Sequence, residues 1–111
     1  MNKYKNQIDT LHNAIYNDIK RVMMQHNASE VLIPEDRRVY FIGEYGDDVA
    51  DYEISKIILS DKGGLYVEAH NKWNEHEEKF SVKYEFGFND LYVLNEILIA
   101  ANDVLAKLPP K

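Results

Sequence analysis

From Lys79 to Phe86 the chain alternates, with Phe80, Val82, Tyr84 and Phe86 apolar and Lys79, Ser81, Lys83 and Glu85 polar. A period of two predicts a strand with one apolar face. Directly afterwards Leu91, Leu94, Leu98, Ala101, Leu105 and Leu108 recur in steps of three and four. That spacing predicts a helix over Asp90–Leu108 with one apolar stripe, capped by Asn89 or Asp90 and stopped by Pro109-Pro110. Neither element can bury its apolar side alone, so a sheet packed against helices is the architecture this stretch requires.

The rest of the chain supplies matching pieces. Lys3 to His26 carries Ile8, Leu11, Ile15, Ile19, Val22 and Met23 at helical spacing, with Asp9, Asn13, Asn17, Asp18, Lys20 and Arg21 on the other side. Val31-Leu32-Ile33 before Pro34 suits a sheet edge, because proline brings no ladder donor. Val39–Ile42 is a strand bounded by Gly43 and Gly46, and Asp51–Ser60 and Leu65–Lys72 flank Asp61-Lys62-Gly63-Gly64. The paired glycines there supply the positive φ of a tight reversal. Trp73–Glu78 reads as a polar connection. The expected fold is therefore a single α+β domain over residues 1–111, with N- and C-terminal helices packed on one face of a roughly four-stranded, mainly antiparallel meander sheet.

Pairing can be tested by arithmetic. Setting Leu65, Val67 and Ala69 opposite Phe86, Tyr84 and Val82 keeps one face apolar and places Glu68 beside Lys83 and His70 beside Ser81 on the other. A Lys62-Gly63-Gly64 loop puts Leu59 opposite Val67 and Ile57 opposite Ala69. Tyr52, Ile54 and Ile58 then face outward next to Tyr66, whereas a bulge near Lys56 would return Ile54 to the core. The register of Val39–Tyr45 against Asp51–Ser60 stays open, since even and odd pairings each place a charge badly. Tyr40, Tyr52, Ile54, Ile58 and Tyr66 thus form the candidate partner-binding group on the face away from the helices. An exposed apolar patch above about a few hundred Å² is unusual on a monomer, and Tyr offers contact area at low entropic cost.

Charge and motifs narrow the function classes. Thirteen Lys and Arg against nineteen Asp and Glu leave a formal charge of −6, which opposes binding to nucleic acid. The chain has no Cys, which excludes disulfides and thiolate metal sites and agrees with a cytoplasmic setting. No signal peptide or membrane span reads in the N-terminal residues, so no membrane partner is expected. The glycines build no phosphate loop, and His70 with Ser81 on a flat strand position has neither a strained nucleophile nor an oxyanion hole. His70 and His76, near Glu75, Glu77 and Glu78, are the only imidazoles with carboxylates around one turn, but they lack the i, i+4 spacing of a helical zinc site. Glu44, Asp47, Asp48, Asp51 and Glu53 lack the ordered pattern of a calcium loop and read as solvated turn residues.

No catalytic residue and no cofactor is therefore expected. The order of helix, antiparallel strands and helix resembles that of small acidic secretion chaperones and immunity-type proteins, in order alone and with no shared motif, which implies binding rather than catalysis. The leading expectation is a non-catalytic protein-interaction module with a protein partner. The alternatives are a self-associating structural subunit such as a homodimer, and a small-ligand binder or enzyme with a pocket between helices and sheet.

Overall fold

The computed structural model describes residues 4–45, 48–73, 75–85 and 91–107. Helix α1, Lys5–Gln25, turns Ile15, Ile19 and Met23 into the core and leaves Leu11 and Met24 exposed. Its end depends on Asn27, whose φ of 53° is a left-handed conformation that Asn tolerates better than most side chains. The Asn27 N–H donates to the Met24 carbonyl and the Ala28 N–H to the Met23 carbonyl. These paired bonds are a Schellman closure, which satisfies carbonyls a helix end would otherwise leave bare.

Five strands follow: β1 Glu30–Leu32, β2 Val39–Tyr45, β3 Asp48–Leu59, β4 Leu65–Asn71 and β5 Glu77–Ser81. All pairings are antiparallel. β1 pairs with residues 56–58 of β3 and β2 with residues 48–54, so the two lie end to end along one side of the same strand. The sheet is therefore four strands wide although it holds five strands. The extra strand arises because Pro34 and a 3-10 turn, Glu35–Arg37, interrupt the edge. After β5 the chain forms a single turn of helix, α2, Val82–Glu85, and then α3, Leu91–Leu105.

One core joins everything. Ile15, Ile19 and Met23 of α1 and Leu94, Ile97, Ala101 and Leu105 of α3 pack with Val39, Phe41, Tyr52, Ile54, Ile57 and Val67 of the sheet. β4 shows the one-sidedness plainly: Leu65, Val67, Ala69 and Asn71 are buried and Tyr66, Glu68 and His70 only half-buried. Both terminal helices thus cover the same face, and the α+β architecture is the one the sequence predicts.

Three local expectations are corrected. The strand predicted over Lys79–Phe86 is instead β5, Glu77–Ser81, followed by the α2 turn, and Phe86 lies outside the described residues. Its register puts Val67 opposite Phe80 and Glu68 opposite Lys79, four residues from the predicted pairing. An even shift leaves the faces unchanged, so alternation alone cannot detect it. The deciding element is the tight turn: the Asn71 N–H donates to the His76 carbonyl, Glu75 N–H to the Asn71 carbonyl, and Trp73 N–H to Asn71 Oδ1. At the β3–β4 reversal Ser60 and Gly64 pair, Gly63 takes φ of 85°, and Leu59 sits opposite Leu65 rather than Val67.

The third correction concerns the middle of β3. Ile54 lies opposite Ala69 and Lys56 opposite Glu68, so Ser55 is an extra residue, a bulge. It returns both Ile54 and Tyr52 to the helix-covered face, where they are fully buried. The outward placement of Tyr52 and Ile54 is therefore wrong.

Candidate interaction surface

The bulge determines which residues reach the uncovered face. Ile58 and Tyr66 do, lying opposite each other on β3 and β4 and half-buried. Tyr40 does as well, from β2, and is 58% exposed. Tyr52 and Ile54, the other two members of the predicted group, are core residues and take no part in any surface. Two residues that sequence reasoning passed over join instead: Leu32 of β1 and Ile42 of β2, each 67% exposed. Alternation held the signal for both, because Val31 and Ile33 flank Leu32, and Phe41 precedes Ile42, on the buried side.

Charged side chains fill the middle of this face and are largely paired with one another. Glu53, opposite Tyr40, is nearly buried and accepts a 2.8 Å bond from Arg38 Nη1 and a 3.0 Å bond from Lys72 Nζ. Arg38 is itself anchored, its Nε donating to the Ile33 carbonyl at the break between β1 and β2. The Lys72 hydrogen bond holds the Glu53 carboxyl below its ordinary pKa, outweighing the burial that pushes it up, with the charges of Lys72 and Arg38 acting the same way as the bond. The same bond raises the Lys72 ammonium. Glu53 is thus an anchored ion-pair partner, not a solvated turn residue. Farther along, Lys56 lies 3.9 Å from Glu30 and 3.7 Å from Glu68, and Lys79 Nζ sits 4.7 Å over the Tyr66 ring.

The candidate imidazoles do not converge. His70 Nδ1 lies 3.4 Å from Glu77 Oε1 across the β4–β5 ladder, while His76 is exposed in the turn. Among the described residues no three His, Asp or Glu side chains gather as a metal site would require. Of the acidic group in the β2–β3 region, Asp47 lies outside the described residues and Asp51 is exposed. No helix among the described residues is long and apolar enough to cross a membrane.

The apolar part of the open face is therefore a stripe along the β1–β2 edge, bordered inward by the Arg38–Glu53–Lys72 group and the exposed Asp51. Around that edge, Leu32, Pro34 and Arg37 also wall a groove with Asp103 and Val104 of α3, closed on one side by the Arg37–Asp103 pair at 3.6 Å. Comparisons with protein families, with curated proteins and with solved structures find no match for this chain.

Proposed function

We propose that this protein works by binding another protein through its uncovered sheet face, without catalysing a reaction. The observation that carries the reading is the stripe of Leu32, Tyr40 and Ile42, three large apolar side chains more than half exposed on the elements of one sheet edge. Single exposed apolar residues are ordinary, whereas several together bordered by polar groups have the make-up of an interface centre and rim. Of the bordering charges, Glu53 already accepts from both Arg38 and Lys72, so contact over Tyr40 would not strand these three, and the exposed Asp51 opposite Ile42 would meet water or a basic group of the partner. Half-buried Ile58 and Tyr66 extend the same face. The net charge of −6 favours a protein over a nucleic acid as partner, and the lack of Cys suits a cytoplasmic setting.

Immobilised wild type and a Tyr40→Ala/Ile42→Ala double variant, each exposed to native lysate, test the reading. The wild type is expected to retain a specific protein, a copy of itself included, that the folded variant loses. Identical recovery by both, or none by either, would count against it.

A further inference from the structure

The direction of the backbone groups on the two sheet edges identifies what the stripe is built to meet. The Lys72 N–H donates to the Asp51 carbonyl, so the peptide groups of Asp51 point toward β4. Ile42, opposite Asp51, therefore belongs to a wide pair of the ladder, and the N–H and C=O of both Ile42 and Tyr40 point away from β3 to the free edge. On the far side the Asn71 N–H donates to the His76 carbonyl, which by the same alternation sends the peptide groups of Glu77 and Lys79 outward. One edge thus offers its free donors and acceptors beside two charged residues, the usual guard against strand addition. The other offers them beside Tyr40 and Ile42, with no charge and no Pro from Val39 to Gly43.

We infer that β2 pairs antiparallel with β2 of a second copy about a two-fold axis at Phe41, continuing the sheet from one molecule into the next. This rests on the interface reading above and names its occupant. Two features select a second copy. The axis at Phe41 sets Tyr40 opposite Ile42 of the second copy, an aromatic and β-branched pair, and joins the outward peptide groups of both residues in four new hydrogen bonds. An axis at Ile42 would set Tyr40 opposite position 44 instead and lose that pair. The helix layer matches: Ile99 of α3 lines a groove with Arg37 and Arg38 at the start of this edge, and Tyr92, seven residues earlier, shares its helix side; both are exposed. Pairing of the strands would bring these two sides together as well, so that Tyr40, Ile42, Tyr92 and Ile99, four of the nine exposed large apolar residues among those described, are covered.

Light scattering and amide hydrogen exchange of the full chain, from about 1 µM to about 1 mM, test this. The wild type is expected to become a dimer within that range, with the Tyr40 and Ile42 amides slowing by about tenfold or more as it forms. Those of Val39, Phe41 and Gly43, already bonded to β3, should be slow throughout. Ile42→Pro removes an edge donor that β3 does not use, so it is expected to stay a folded monomer; if it fails to fold, Ile42→Lys is read in its place with the same outcome. A wild type that remains monomeric, a dimer whose Tyr40 and Ile42 amides exchange freely, or a folded variant that still dimerises would each overturn the inference. A monomeric wild type that still captures a different protein through Tyr40 and Ile42 would overturn this pairing and leave the broader interface reading intact.

Discussion

Neighbouring residues on β3 have opposite surroundings, and both are demanding. Tyr52 stacks on Phe41 at 5.1 Å, meets Phe80 edge-on at 5.0 Å, and its hydroxyl accepts a hydrogen bond from Asn71 Nδ2. That ring fits because position 43 is glycine: a Cβ there would lie 2.6 Å from Tyr52 Cε2. Gly43→Ala is expected to cost about 1–3 kcal/mol by forcing the ring off its stack, read as a lowered urea midpoint; an unchanged midpoint would mean the ring has room to move. Glu53, on the opposite face, is held by Arg38 and Lys72. Glu53→Gln removes the charge from two charge-assisted bonds and is expected to cost about 1–3 kcal/mol at neutral pH. Because the folded carboxyl lies below its ordinary pKa of 4.5, its contribution is full above that value and disappears as pH falls through the lower folded one. Melting curves of wild type and variant should therefore converge in acid, and a constant gap from neutral pH down to about pH 2 would show that Glu53 acts through packing alone.

At the scale of elements, the parts with strong periodicity were legible in the sequence and the parts governed by a single residue were not. The core stripe of α3 is where the three- and four-residue spacing places it, with Leu94, Ala101 and Leu105 buried and Leu98 partly so. Leu94→Ala is accordingly expected to destabilise by about 2–5 kcal/mol, and Leu98→Ala by less, in equilibrium unfolding. The β4–β5 register escaped detection because a shift of four residues preserves alternation, and the turn around Asn71 and Glu75 that sets it carries no glycine or proline. The β3 bulge has no signal of its own in the letters, since Ser55 is an unremarkable strand residue; only its consequence, two apolar residues in each half of β3 that no uniform alternation can bury together, shows in the sequence. Without the bulge Tyr52 and Ile54 are assigned to the candidate surface, whereas Leu32 and Ile42 were legible from the alternation of β1 and β2 alone. Deleting Ser55 tests the element directly. Without the extra residue either Tyr52 and Ile54 or Ile57 must leave the core, so the deletion variant is expected to lose its cooperative unfolding transition. A cooperative melt close to wild type would mean that β3 can close without a bulge.

The described residues form two layers, the sheet and the helices on one side of it. The shortest extent, 26 Å, accommodates a sheet and a helix layer at about 10 Å each with their outer side chains. The described helices occupy one side, so the same strand presents neighbouring residues to two different environments: Ile57 is fully buried in the core while Ile58 lies across from Tyr66 and Glu30 on the uncovered face. A charge introduced at each position should separate the two faces more sharply than any truncation. Ile57→Lys would place an ammonium among apolar side chains with no partner, and is expected to abolish the folded state as read by circular dichroism and the thermal transition. Ile58→Lys keeps its stem against the Tyr66 ring and its charge toward solvent and Glu30, so it is expected to cost about 1 kcal/mol or less and to retain the cooperative transition. Unfolding of both variants would mean that Ile58 also belongs to a closed interior, and the open face from which the interface is argued would not exist.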